Sequence, residues 1–158
     1  MGQDDTKHNL LFISKYPQII HEFTDAMKDR DIEIETAING IEAAAKIKKK
    51  NYDIVITGLS LEGYNGEQII TYLNKTAPST VCIIYTTTIS SAQLHFFINE
   101  RNVFRVFLRP VDFRGAFWEA LEEAYEYHAV QVKNEEDTGA RRQEQEKQER
   151  EIEIMDQR

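Results

Sequence analysis

Five short apolar runs, each followed by a stretch of helical periodicity, constrain the fold of this chain more than any other feature. Four of them are continuously apolar and rich in β-branched and aromatic residues, which is typical of strands buried on both faces of a parallel sheet. These four runs are NLLFIS (9–14), YDIVIT (52–57), TVCIIYT (80–86) and VFRVFL (103–108). A fifth run, DIEIET (31–36), alternates apolar and charged residues and is therefore predicted to be a half-exposed edge strand.

The helical stretches carry their own start signals. Pro17 stands where a first helical turn tolerates proline, and Ser90 or Ser91 is predicted to cap the fourth helix. Asp112 is predicted to cap the fifth. The predicted inward stripe of this last helix is Phe113, Phe117, Leu121 and Ala124. The regular alternation of strand and helix predicts a doubly wound α/β domain with a parallel sheet and right-handed crossovers.

Composition excludes several classes of protein. The 158 residues carry a net charge of −8, which argues against nucleic-acid binding because neutralising phosphates needs clustered cations. No apolar run approaches the roughly 20 residues that cross a bilayer, and the first residues lack a secretory signal. Cys82 lies inside an apolar strand, has no cysteine to pair with and is predicted to be a small buried hydrophobe. We therefore expect a cytoplasmic protein that binds neither nucleic acid nor membrane.

The character of the chain changes near residue 134. NEEDTGA (134–140) combines charge with a glycine and predicts a boundary, and the rest is almost entirely Glu, Gln, Arg and Lys. This pattern predicts a domain over 8–134 and a charged linker or tail over 135–158. The tail is expected to be either helical, leading to a further domain or ordered by a partner, or disordered.

The ends of the predicted strands name the candidate site. In doubly wound sheets the functional crevice lies outside the carboxyl ends of the strands. The residues that fall there are Ser14, Lys15, Gly58, Thr86 and Arg109. No glycine-rich phosphate loop follows the first strand, so a nucleotide-binding enzyme is the least favoured of the functions considered.

At these strand ends the sequence resembles the receiver domains of two-component response regulators. FISKYP places Ser14 and Lys15 where such receivers carry two acidic residues. Gly58, ahead of the loop LEGYNG, stands at the position of the phosphate-accepting aspartate. Thr86 matches the family, whereas Arg109 in FLRPVD replaces a lysine. The resemblance implies a flavodoxin-like (βα)5 fold with strand order 2-1-3-4-5. The segment INERNVFRVFLRPVD is also similar to receivers joined to HD-GYP-type phosphodiesterases or other output domains.

These replacements predict a degenerate site without phosphorylation chemistry. A phosphoryl group needs a carboxylate to accept it, and glycine has none. Magnesium prefers carboxylate oxygens, whereas Lys15 adds a positive charge. We therefore expect no catalytic residue, no phosphoacceptor, no metal and no cofactor. Three occupants of the crevice remain open: a small anionic ligand held by Lys15 and Arg109 beside Thr86, Thr87 and Thr88, an internal ion pair with Glu62, or solvent.

The family signals through the face formed by its fourth helix, fifth strand and fifth helix. The resemblance places Val106 at the position of a switching aromatic residue, and a β-branched side chain has few rotamers to switch between. Trp118 and Tyr125 lie off the inward stripe of the last helix and are predicted to form a docking or dimerisation patch with Val106. The alternative is that Phe96 or Phe97 of the fourth helix covers them.

Two functions follow from these features. The favoured one is a phosphorylation-independent pseudo-receiver in bacterial signal transduction. It would act, without enzymatic activity, by binding a protein partner or output domain or by forming a homodimer. The alternative is a sensor domain that binds a small anionic ligand near Lys15 and Arg109. The test that separates them is whether these two cations converge on a shared space.

Overall fold

The computed structural model describes residues 8–100 and 102–156, with side chains described as far as residue 136. Five strands and five helices alternate along the chain, and the five strands form one parallel sheet in the order β2-β1-β3-β4-β5. The elements are β1 His8–Ile13, α1 Pro17–Met27, β2 Ile32–Ala37, α2 Gly40–Lys49, β3 Ile54–Thr57, α3 Gly66–Thr76, β4 Val81–Thr86, α4 Ser91–Ile98, β5 Val103–Leu108 and α5 Ala116–Asp156. The predicted fold class and strand order are therefore confirmed.

Strand alternation divides the core between the two faces of the sheet. Leu10 and Phe12 of β1 face the cluster that contains α1 and the start of α5. Leu11 and Ile13 face the cluster that contains α2, α3 and α4. Such alternation follows from the period of two of a β-strand, and it explains why the central strands are apolar throughout.

Local signals start the helices largely where the sequence predicts. Pro17 occupies the first turn of α1. The Ser90 hydroxyl accepts a hydrogen bond from the backbone N–H of Gln93, so Ser90 is the cap of α4. Asn39 and Asn65 cap α2 and α3 in the same way. These bonds satisfy backbone donors that the first helical turn leaves without a partner.

Two predictions about elements are wrong. β5 is an edge strand with half-buried or exposed residues rather than a strand buried on both faces. The last helix begins at Ala116, because Asp112 instead binds the N–H of Arg114 in a turn that precedes it. This helix continues to Asp156, in agreement with the helical alternative for the tail.

The chain divides into two compact units, Met1–His128 and Ala129–Arg158. The first contains all five strands and the beginning of α5. Within the described residues, no helix is long and apolar enough to cross a membrane. The assignment of 8–134 as a domain and of 135–158 as a linker stays a prediction.

Candidate functional site

The register of the sheet brings the predicted site residues together. Ile13 pairs with Thr57 and Thr86 with Leu108, so Ser14, Gly58 and Arg109 each follow a strand at the same edge. Backbone hydrogen bonds continue the ladder at this edge, from Gly58 N–H to Ile13 O at 3.1 Å and from Arg109 N–H to Thr86 O at 2.8 Å. The resulting cavity has a volume of about 40 Å³. Its lining residues include all five candidates: Ser14, Lys15, Gly58, Thr86 and Arg109.

Gly58 leaves space for a side chain. A Cβ atom there would lie 3.6 Å from Tyr85 O and 4.0 Å from Ile13 O, which are ordinary van der Waals distances. The hydroxyl of the preceding residue, Thr57, is buried and donates to Gly58 O at 2.8 Å. The position therefore lacks a carboxylate, although a Cβ atom fits there.

The side chains of Lys15 and Arg109 both lie near the ring of Tyr16, a residue to which the sequence analysis gave no role. The Arg109 guanidinium lies 4.6 Å from the centre of the Tyr16 ring, and Lys15 Nζ lies 5.3 Å from the same ring. Both distances are in the range of cation–π attraction. Tyr16 lies between Lys15 and Pro17 in the sequence, and an aromatic residue next to a predicted strand end is the signal that could have found it.

One of the expectations for the crevice is wrong. Among the described residues, the ion pairs within 4.0 Å involve neither Lys15, Arg109 nor Glu62, so the pair with Glu62 does not form. Lys15 instead approaches the hydroxyl of Ser60 at 3.4 Å. Arg109 is half-buried and packs on Tyr16, whereas Lys15 is exposed.

Hydroxyl groups in the crevice are already engaged. The Ser14 side chain is buried and accepts the N–H of Tyr16 at 3.2 Å, and the Thr86 hydroxyl donates to Thr88 O at 3.1 Å. Burial raises the pKa of Tyr85, and the Arg109 guanidinium, 5.9 Å from its ring centre, opposes that shift. The site is cationic and aromatic.

The metal of receiver domains does not fit these residues. Magnesium is held by oxygen ligands with carboxylates among them, whereas Ser14 and Lys15 supply a committed hydroxyl and a positive charge. In the described part of the chain, no group of three His, Cys, Asp or Glu side chains is arranged to hold a metal ion.

The predicted interaction face is only partly at the surface. Tyr125 is buried, its hydroxyl donates to Asn9 O at 3.0 Å and its ring packs on His8, so the exposed patch predicted with Trp118 is wrong. Trp118 is half-buried under the Arg30 guanidinium, 4.2 Å from its ring. The alternative prediction, that Phe96 or Phe97 covers Trp118 and Tyr125, is also wrong. Phe96 and Phe97 pack on the other face of the sheet.

Val106 is half-buried and packs against the cluster on the α2–α4 side of the sheet. The surface of α4 and β5 exposes three apolar side chains that the prediction did not name. Leu94, Ile98 and Leu108 are 42%, 72% and 51% exposed.

The strand order and the crevice at the carboxyl edge define a doubly wound α/β protein of the flavodoxin-like kind. A family model described as response regulator receiver domain matches residues 11–117. The chain belongs to the response regulator receiver domain family.

Solved structures with this fold come from several organisms. A signal receiver domain of an HD domain-containing protein from Pseudomonas fluorescens Pf-5 has a TM-score of 0.74 at 19% identity, covering 79% of this chain and 99% of that one. A CheY-like response regulator receiver domain protein from Methanospirillum hungatei JF-1 has a TM-score of 0.72 at 18% identity, with coverage of 79% and 99%. A protein from Rhodopirellula baltica described as adenylate cyclase has a TM-score of 0.75 at 18% identity, with coverage of 85% and 98%. Such low identities show the fold alone. None of the curated proteins compared with the chain matches it.

Proposed function

We propose that this chain is a phosphorylation-independent receiver that acts as a protein-interaction or dimerisation module in two-component-type signal transduction. The observation that carries the proposal is Gly58 at the end of β3, where the family's phosphate acceptor stands, in a cavity lined by Lys15 and Arg109. Transfer of a phosphoryl group to a carboxylate requires that carboxylate, and the geometry offers none at this position.

Electrostatics oppose the cation that phosphorylation requires. Two like unit charges 4 Å apart repel by about 4 kcal/mol at an effective dielectric constant of 20. A divalent ion beside Lys15 would meet about twice that repulsion, with no acidic residue at positions 14 and 15 to offset it. The same two replacements therefore remove ligands and add a barrier.

Exposed apolar side chains support a role in protein interaction. Leu94 and Ile98 on α4 and Leu108 on β5 present apolar surface on elements that form the output face in this family. Large contiguous patches of exposed apolar side chains mark interaction surfaces, and these three residues are the candidates for such a patch. The Pseudomonas relative is part of an HD domain-containing protein, which supports an output domain as one kind of partner.

The decisive experiment is exposure of the full chain to acetyl phosphate, or to beryllium fluoride, with magnesium. We expect no phosphoryl adduct by intact mass and no bound fluoride signal by ¹⁹F NMR. A magnesium-dependent adduct on the wild-type chain would refute the proposal.

Two variants make that negative result interpretable. Gly58→Asp restores the acceptor in a position where its Cβ fits, but it leaves the cation site altered, so we expect little or no adduct. Adding Ser14→Asp and Lys15→Asp is expected to restore magnesium-dependent formation of the beryllium fluoride complex. This triple variant is the positive control for the assay.

Dimerisation has a separate test. The solution mass of the full chain by light scattering should correspond to a dimer if α4 and β5 form the interface, and Ile98→Glu should then return it to a monomer. A monomeric wild-type chain would leave binding of a different protein as the role of this surface.

The sensor alternative retains one supporting observation. Lys15 and Arg109 line the same cavity, as that alternative requires. The cavity of about 40 Å³ is nevertheless far below the roughly 300 Å³ at which small-molecule pockets begin, and Arg109 is committed to Tyr16. Calorimetric titration with inorganic phosphate and with adenine and guanine nucleotides is expected to give no heat, and measurable binding would favour the sensor.

A further inference from the structure

A groove runs along α3 on the side of the sheet away from α1 and α5. Its first part lies between α2 and α3 and has a volume of about 310 Å³, with Ala44, Tyr64, Ile69 and Tyr72 in its lining. Two neighbouring cavities, of about 190 and 490 Å³, also contain Tyr72 in their walls. Tyr72 is thus shared by the walls of all three spaces.

The floor of this groove is aromatic and accessible. Tyr64 and Tyr72 are 45% and 37% exposed, and Ile41, next to them over Gly63, is 57% exposed. Tyrosine is enriched in protein interfaces because it presents a large apolar surface with a polar tip. The groove therefore offers anchoring surface for apolar side chains of another molecule.

The rim of the groove carries two lysines that form no ion pair among the described residues. It also carries one carboxylate, Glu67, which lines the third cavity with Lys75 and accepts a hydrogen bond from the Gln93 side chain at 3.2 Å. Of the lysines on α2, Lys46 binds Thr36 O, and Lys50 just beyond the helix pairs with Glu33 and Glu35. Lys48 lines the first two cavities, Lys75 lines the third, and no ion pair within the described residues uses either of them.

These two cations oppose the charge of the molecule as a whole. The chain carries a net charge of −8, so an acidic partner is repelled by most of the surface and attracted at this rim. The same net charge and the small number of cations disfavour nucleic acid, whose binding rests on many phosphate contacts.

We propose that the groove along α3 binds an acidic amphipathic helix of a partner protein. The apolar stripe of that helix would lie on Tyr64 and Tyr72, and its carboxylates would face Lys48 and Lys75. Helix binding in a groove between two helices is a recurrent mode of peptide recognition. The inference rests on the proposed role as an interaction module and specifies a surface and a partner chemistry for it.

The test is a titration of the full ¹⁵N-labelled chain with two synthetic helical peptides that share the same leucine positions. One peptide carries glutamate at the remaining positions and the other carries lysine. The glutamate peptide is expected to bind more tightly, to perturb amides of α2 and α3, and to bind more weakly as salt is raised.

Charge reversal on the rim is the sharpest variant. Lys48→Glu combined with Lys75→Glu is expected to weaken binding of the glutamate peptide by about tenfold or more and to improve binding of the lysine peptide. Tyr72→Ala should weaken both peptides because it removes the shared anchor. Lys28→Glu, after α1 and on the opposite side of the sheet, is the control for either single reversal, Lys48→Glu or Lys75→Glu, because each of the three makes the same charge change.

The proposal is overturned if neither peptide binds at about 1 mM, if both bind equally well, or if the perturbed amides lie on α4 and β5 instead. None of these outcomes depends on magnesium or acetyl phosphate. A failed titration therefore leaves the phosphorylation result standing, and a phosphoryl adduct on the wild-type chain leaves the titration standing.

Discussion

The two faces of the sheet are packed with different kinds of side chain. The face beside α1 and α5 is built largely from aromatic rings. Phe12 and Phe23 stack at 4.2 Å, and Phe113 meets Phe23 at 5.3 Å and Phe117 at 5.1 Å. The face beside α2, α3 and α4 is mainly aliphatic, with Phe97 and Tyr52 as its buried rings.

The faces also differ in how completely they are covered. On the aromatic face Tyr125 is bonded to β1 and Trp118 is covered by Arg30. On the aliphatic face Tyr64, Tyr72, Leu94 and Ile98 remain at the surface. This difference teaches that large aromatic residues on a helix do not by themselves mark an interface. The side of the molecule with fewer buried rings is the one that keeps these large apolar side chains at its surface.

The largest expected effect comes from breaking the aromatic face. Phe117→Ala removes a fully buried ring that contacts Phe23, Tyr85, Phe107 and Phe113. It should lower the free energy of unfolding by about 3–5 kcal/mol, measured by urea denaturation.

Leu73→Ala on the aliphatic face is the matched comparison, with a smaller expected loss of about 2–4 kcal/mol. Ile98→Ala, at an exposed position, should change stability by less than about 0.5 kcal/mol. A larger loss for Leu73→Ala than for Phe117→Ala would contradict the view that the aromatic face dominates stability.

A smaller effect is expected from the hydrogen bond that joins Tyr125 of the aromatic face to β1. Tyr125→Phe removes the hydrogen bond to Asn9 O while keeping the ring, and should cost about 0.5–1.5 kcal/mol by the same measurement. Burial raises the pKa of this phenol, in agreement with a protected hydroxyl. Tyr64→Phe, at an exposed ring, is the control and should be nearly neutral; an equal loss in both variants would refute the role of the bond.

The smallest expected effect concerns the edge of the aliphatic face. The hydrogen bond from Lys50 lowers the pKa of Glu35 below its ordinary value of 4.5. A carboxyl whose pKa is lowered by folding contributes stability above its unfolded pKa and loses that contribution as the pH falls through its folded pKa. Stability should therefore decline on acidification below about pH 4.5, and the share due to this half-exposed pair is under about 1 kcal/mol.

Urea denaturation from pH 6 to pH 3 measures that decline. Glu35→Gln should flatten the profile slightly relative to the wild type, because it removes the titrating group. The control is Glu62→Gln, at an exposed carboxyl outside the ion pairs of the described residues, which should leave the profile unchanged. If the wild type and Glu35→Gln have the same dependence of stability on pH, the pair of Glu35 and Lys50 does not contribute to the loss of stability in acid.

Sequence patterns predicted the fold well where one local signal decides the structure. Runs such as YDIVIT and TVCIIYT admit few other structures between helical stretches, and Ser90 at the start of α4 satisfies a backbone donor directly. β5 was misjudged because VFRVFL has the composition of a central strand, and only pairing reveals that no strand lies beyond it. Asp112 was misjudged because the same side-chain bond that caps a helix also closes a turn.

The sequence predicted which residues form the candidate site, but it did not predict the contacts that their side chains make. Ser14, Gly58 and Arg109 lie together because parallel strands end at the same edge of the sheet, and this follows from the topology alone. The partner of Arg109 depends on distances across the crevice: its guanidinium lies 4.6 Å from the centre of the Tyr16 ring, and no ion pair within 4.0 Å among the described residues involves it.

By itself, the sequence determined the order of strands and helices and the missing acid after β3, because both are properties of single positions and their neighbours. The tertiary structure alone decided which aromatic rings are buried, where the two cations lie and which face stays open. Those outcomes depend on residues far apart in the chain, such as Tyr125, whose hydroxyl donates to the backbone oxygen of Asn9, and on how their side chains fill a limited space.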